Sequence, residues 1–452
     1  MATAVADPPT TNLLQDADLK ARLQQFRQPD NLTNWYYLLR TYLFLAAVIG
    51  GSVYFFGHRA EWGLHWAWNI PVAVVAIILV GAGQHQLTAL AHEASHHTLF
   101  KNKLLNELVS DWCCMFPMLS TTHHYRLHHL AHHQFVNAPE RDPNVPQVWV
   151  NGHWTDFPMT RAQFWRELVK ELWPFNMIRY MRAQAKSNAL PGVRSPYERS
   201  TMDRAKVKVA MRVGAAYVLW LAVLLAGLVI HGDPVLLAVV PAVAYAAVMT
   251  FFAVIPPTWY AQHRVHPTYT MRTITLMRMT FITAVAVGVA WLAHFYGRLA
   301  FYWFVLLWLV PMVTSFSLFM MLRQVVQHSN SDRGWLTNTR IFLVNLFVRD
   351  SILPYGQDIH LPHHMFATVP HYRLRALHEF LMRYPEYRSE AVVVRGAVLP
   401  RHDDHPSILD VLGPDWARQD AAVHVDDSVL DGERVEERAA IQRESEESAG
   451  QA

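Results

Sequence analysis

The sequence predicts an all-α fold: a multi-pass transmembrane helical bundle of about six crossings with a helical cap on its cytoplasmic side. Three observations carry that reading. Hydrophobic residues make up 52% of the 452-residue chain and charged residues only 17%, a balance that points away from a soluble globular protein. Residues 213–230, 234–258 and 299–322 hold no charged side chain, and each is long enough to cross a hydrocarbon core of about 30 Å as a helix. Finally, many of the 26 histidines gather in short clusters, at 92–97, 128–133 and 360–364.

Taken in order, residues 1–34 form a polar segment with one short amphipathic helix expected around Leu19 to Phe26. No basic stretch followed by an apolar run is present there, which argues against a cleavable signal peptide. The membrane domain is expected over 35–385. Its first two crossings, 41–57 and 67–90, are interrupted by Gly50, Gly51, Pro71, Gln84 and His85, and the second delivers His92 and His96 to the membrane surface. Residues 104–122 are apolar but broken by Glu107, Asp111 and Pro117, so they are expected to lie in the interface, with Trp112 and Phe116 dipping into lipid.

Two further hairpins, 213–258 and 279–322, each return the chain to its starting side, so the three clusters should meet at one face. Residues 161–212 carry 12 Lys and Arg against 4 acidic residues, whereas the opposite turns offer only Arg59 and Arg298. By the positive-inside rule the clusters face the cytoplasm. After the last crossing, Leu374, Leu377, Phe380 and Leu381 have the spacing of an amphipathic helix. Residues 386–419 read as a cytoplasmic extension. Residues 420–452, with 10 acidic and 3 basic residues, read as a disordered tail. The net charge of +3 makes no case for nucleic acid, and the two cysteines, Cys113 and Cys114, are neighbours that build no disulfide framework.

The histidine spacings are those of metal ligands. His92 and His96 stand at i and i+4, on one face of a helix. His129, His132 and His133 stand at i, i+3 and i+4, a spacing expected to gather three rings on one side. His360, His363 and His364 repeat it around Pro362, which fits the first turn of a helix with His360 reaching in from the preceding loop. Neutral imidazole is the usual nitrogen ligand of iron, zinc and copper, and eight such rings exceed one tetrahedral site, so two ions are the economical reading. His123, His124, His128, His263 and His266 fall outside these spacings and are assigned to surface or supporting roles. His58, His65, His231 and His294 belong to the opposite interface.

The pattern HxxxH, then RxxHxxHH (Arg126, His129, His132, His133), then HxxHH after further crossings resembles the integral-membrane fatty acid desaturase superfamily. HHQFVNAPERDPN at 132–144 and HLPHHMFATVPHYRLRALH from 360 are similar to that family as well. The resemblance implies a non-haem centre of two iron ions ligated by His92, His96, His129, His132, His133, His360, His363 and His364, with His97 and His328 as further candidates. It also implies dioxygen as co-substrate and a lipid or fatty acyl substrate. Gln327, where the family commonly has an acid, and Ile359, where an aromatic often stands, depart from its pattern. Glu93 and Asp142 are candidates to orient the imidazoles, although Asp142 also fits a plain Asp-Pro turn. With no His-Pro-Gly-Gly signature of a fused haem donor, electrons are expected from a separate partner, a ferredoxin or a membrane cytochrome with its reductase.

Other chemistries fit parts of the pattern. Related enzymes hydroxylate, ketolate or oxidatively decarboxylate, and sequence does not separate these outcomes from desaturation. HEASH also satisfies the HExxH pattern of a zinc metalloprotease, a reading that leaves two HxxHH clusters without a purpose. A metal transporter would place its ligands inside the crossings.

Overall fold

The computed structural model describes residues 13, 16–188, 197–199, 201–400 and 405–416. The expected acidic tail at 420–452 lies outside them. Helix α1 (Ala17–Phe26) starts where the Asp16 side chain accepts from the Leu19 amide, a cap that satisfies one of the orphan donors of the first turn. Two long apolar helices follow, α2 (Thr33–His58) and α3 (Asn69–Ser95). After α4 (Lys103–Ser110) and a widened turn at Asp111–Met115, the chain enters α5 (Thr122–Gln134), capped by Thr121. Short helices α6 (Asn144–Val148), α7 (Arg161–Glu171) and α8 (Pro174–Asn188) continue the cap.

The next hairpin is α9 (Arg204–His231) and α10 (Pro234–Val254). Its turn is fixed by Gly232, at φ +87°, and by Asp233, whose side chain accepts from the amides of Val235 and Leu236. Only a residue without Cβ enters that left-handed conformation freely. Helix α11 (Met271–Tyr296) begins eight residues before the crossing read from sequence at 279. The last crossing is segmented: α12 (Leu299–Phe304), a widened stretch at Val305–Leu309, α13 (Val310–Val313) and α14 (Ser315–His328).

By length and composition six helical stretches can cross a membrane: 33–58, 66–95, 204–231, 234–254, 271–296 and 299–328. The protein is an integral membrane protein. Leu219, Val223, Val243 and Val254 are exposed on these stretches, as residues facing hydrocarbon would be. The crossings pack as two groups, α2 and α3 with α14, and α9 with α10 and α11. A cavity of about 970 Å³, lined among others by Ile49, Leu221, Val285, Trp303 and Leu307, lies between them.

The remaining chain completes the cap. Strand β1 (Ile341–Leu343) pairs in parallel with β2 (Val393–Arg395), Phe342 opposite Val394. Between them come α15 (Leu346–Ser351), α16 (His360–Met365), α17 (His371–Leu381) and α18 (Pro385–Glu390), and α19 (Ile408–Val411) closes the described chain. As the periodicity predicts, α17 buries Leu374, Leu377, Phe380 and Leu381. Leu19 and Leu23 of α1 join that same cluster, together with Leu361, Met365 and Phe366 around the third histidine segment.

One expectation is corrected here. Within the 104–122 stretch, Phe116 does not dip into lipid, while Trp112 is half-buried. Phe116 is fully buried, its ring 5.8 Å from that of Phe281. Asp111 is buried too, accepting from the amide and hydroxyl of Thr122 and from the Tyr269 hydroxyl.

Candidate metal centre

Four elements, α3, α5, α14 and α16, deliver the histidines. His92 sits in the last turn of α3, and His96 occupies its C-terminal cap. That helix end is held by Arg126 of α5, whose Nε donates to the Ser95 carbonyl at 2.9 Å and Nη2 to the Ala94 carbonyl at 2.8 Å. A guanidinium there satisfies open carbonyls and complements the negative end of the helix dipole. Glu107 of α4 pairs with the same guanidinium, so the buried cation is neutralised locally. The arginine of RxxHxxHH thus locks the first cluster to the second.

Nine imidazoles form two adjacent groups. His92, His96, His129, His133 and His363 make one; His132, His328, His360 and His364 make the other. Within each group a ligand atom from every ring lies within 4.8 Å of all the rest. The groups touch where the His133 ring stacks on that of His364, centroids 4.3 Å apart. All three sequence clusters therefore meet on one side of the bundle, as an even number of intervening crossings requires.

The rings of one cluster do not share one side as expected from their spacing. At about 100° per residue, i+4 lies about 40° from i, while i+3 lies about 60° away on the opposite side. His129 and His133 accordingly enter the first group and His132 the second. In α16 the division is reciprocal: His360 and His364 enter the second group and His363 the first. Each i, i+4 pair stays together and each i+3 ring crosses over. Pro362 does stand in the first turn, but His360 is the first residue of α16, not part of the preceding loop.

The nitrogen spacings suit metal ligation. Nε2 of His133 lies 2.9 Å from Nε2 of His129 and 3.1 Å from Nε2 of His363; Nε2 of His360 lies 3.1 Å from that of His364 and 3.2 Å from that of His328. Nitrogens bound about 2.1 Å from one ion are roughly 3.0 Å apart at a right angle and 3.4 Å apart at the tetrahedral angle. The donor set thus fits a pair of ions with cis nitrogen ligands. Burial, then the neighbouring His92 and His96, hold His129 well below its ordinary pKa of 6.5; burial and then His364 do the same to His360. Both rings are neutral at pH 7, the form that carries a free lone pair.

Supporting groups surround the rings. His132 Nδ1 lies 2.9 Å from Asp142 Oδ2, and the same carboxylate accepts from the amides of Asn137 and Asn144. Asp142 is thus both a turn residue and an imidazole orienter. Glu93 lies 3.3 Å from His92 Nδ1, and its other oxygen accepts from Thr98 Oγ1 and the His371 amide. That engagement fits a structural acid better than the free general base of a protease. In place of the family's common acid, Gln327 donates to the Gln357 carbonyl, and the Gln357 side chain meets His92 Nδ1 at 3.2 Å. Sequence reasoning singled out neither Gln357 nor Tyr125, whose ring stacks on His129 at 9° between planes; no motif marks either.

One expectation is corrected and one narrowed by these positions. His97 joins neither group: its backbone turns to φ 57° past the end of α3, and its Nδ1 lies 3.6 Å from Glu107. Of the surface and supporting roles open to His123, His124 and His128, burial leaves the supporting one. His128 Nε2 meets Asn144 Oδ1 at 2.8 Å, and His123 Nε2 meets His263 Nδ1 at 3.2 Å. His328 stands in the second group.

Comparison with known proteins agrees with this geometry. The fatty acid desaturase family model matches residues 69–280 and 271–394. The chain belongs to the fatty acid desaturase family. It is 30% identical over 148 residues to a dihydrorhizobitoxine desaturase of Bradyrhizobium elkanii, 32% of this chain and 38% of that protein. It is 29% identical over 103 residues to a Delta(5) fatty acid desaturase of Caenorhabditis elegans, 23% of this chain and 22% of that protein. The matched stretches thus span well under half of either relative.

Proposed function

We propose that the protein is an oxygen-dependent di-iron membrane desaturase that introduces a carbon–carbon double bond into the alkyl chain of a fatty acyl lipid. The observation that carries this reading is the convergence of nine imidazoles into two touching groups in a chain of the desaturase family. His92, His96, His129, His133 and His363 would hold one iron, and His132, His328, His360 and His364 the other. When bound, iron supplies the dioxygen-derived oxidant that an unactivated C–H bond demands.

The chain's own residues have separate tasks. Asp142 and Gln357 orient His132 and His92, and Arg126 holds α3 against α5 so that the first group keeps its geometry. The apolar cavity between the two groups of crossings supports a lipid substrate, although no histidine of either group lines it. Taking two hydrogens from an alkyl chain while reducing dioxygen to water consumes two further electrons. A separate donor, a ferredoxin or a membrane cytochrome with its reductase, would supply them from the cytoplasmic side.

Metal content and lipid products after expression in a lipid-rich host test the proposal. About two irons per chain, by ligand arithmetic, and a new double bond that forms only in air are expected. One zinc per chain with no oxygen requirement would overturn it. A hydroxylated, ketonic or shortened product would keep the metal centre and replace the reaction.

A further inference from the structure

The last crossing buries a cation that the metal centre does not use. Arg323 of α14 is only 6% exposed, and its Nε and Nη1 have no hydrogen-bond partner. Its guanidinium engages the Tyr125 hydroxyl, a neutral group. No carboxylate among the described residues forms an ion pair with it. An unpaired charge removed from water costs several kcal/mol, and ionisable groups inside a crossing mark ligand sites more often than structural ones.

The arginine lines a small polar cavity beside the histidine groups. Its walls include Tyr125, Asn144, Gln184, Gln324 and Gln357, and five of the nine clustered histidines, His92, His129, His132, His328 and His360, line it as well. At about 20 Å³ it admits one or two water-sized groups, the size of a carboxylate end and far too small for an alkyl chain. The amide side chains offer donors around the guanidinium, which itself presents a fork matched to two oxygens.

We propose that this cavity is an anion site in which Arg323 receives a carboxylate, either carried by a substrate or free. The site shares its cavity with five histidines of the metal centre inferred above, but the group that receives the anion is Arg323, so it does not require metal. Sodium formate is the probe, titrated into the full-length protein in detergent after metal removal, with thermal unfolding as readout.

Formate is expected to raise the unfolding temperature of the metal-free wild type in a saturable way, while sodium chloride at equal ionic strength leaves it unchanged. Arg323→Met should be folded without the probe and unresponsive to it; Arg323→Lys, which keeps charge but loses the fork, should respond only at higher formate. If Arg323→Met does not fold, the Arg323→Lys displacement alone decides. A second arm adds hexanoate: competition with formate assigns the site to a carboxylate on a chain, and its absence to a free anion. Equal responses to formate and chloride, a response in Arg323→Met, or a formate response seen only in metal-loaded protein would each overturn the proposal. Loss of the metal reading alone would leave the metal-free result standing.

Discussion

His132 is the residue on which the division of the rings into two groups can be checked. It is separated from His133 by one position, yet it faces Asp142 and shares the second group with His328, His360 and His364. His132→Ala removes one of four nitrogens there and leaves a buried carboxylate without its imidazole. It should lower metal content from about two ions per chain to about one or fewer, with loss of desaturation. His128→Ala should keep its metal, because His128 belongs to neither group and spends its Nε2 on Asn144. Elemental analysis of the two purified variants distinguishes them, and equal loss in both would sink the assignment. That these rings gather was legible because i, i+4 pairs are a local property of a helix. Their partition was not, since it depends on how α5 and α16 face each other across 230 residues, as the His133–His363 contact shows. His97 misled for the same reason: it neighbours His96 in sequence, but the chain reverses between them.

Among the elements, α3 is the one with least freedom. It passes so close to α14 that a Cβ on Gly81 would come within 2.7 Å of the Phe316 amide nitrogen and 2.8 Å of Ser315 Cβ, and Ser315 Oγ donates to the Ile77 carbonyl at 2.6 Å. Close approach through a small residue is the usual packing device where lipid removes the hydrophobic drive between helices. Gly81→Ala must push backbone and should cost about 1–3 kcal/mol, seen as a lower unfolding temperature in detergent. Gly57→Ala, with nothing within 4 Å of the added carbon, should be neutral or slightly stabilising. An equal fall in both would show that helix contact is not the cause. The crossings themselves were legible because length and apolarity suffice to name them. The burial of Phe116 was not legible because Glu107 and Asp111 look like groups that need water, and their partners Arg126 and Tyr269 stand 19 and 158 positions away. No local pattern announces a partner at that range.

Seen whole, the molecule is a membrane bundle whose cap is closed by the two ends of the described chain. The N-terminal segment reads in sequence as polar with one short amphipathic helix, and Leu23 of that helix is buried in the cluster that carries α16 and α17. Leu23→Asp should therefore lower both thermal stability and metal retention, although the α16 histidines lie over 300 positions away. Orientation is the global property on which the electron supply depends. A dozen basic residues between 161 and 212 against two on the opposite turns favour a cytoplasmic cap, since cationic segments resist translocation. In a Cys113→Ser, Cys114→Ala background, which removes one partly exposed and one buried thiol, a single cysteine reports its side. His231→Cys lies at the end of α9, next to the turn into α10, and Lys170→Cys lies on α7 of the cap. A membrane-impermeant maleimide should label His231→Cys in intact cells and Lys170→Cys only after lysis. The reverse pattern would place the histidine groups outside and remove any cytoplasmic reductant from reach.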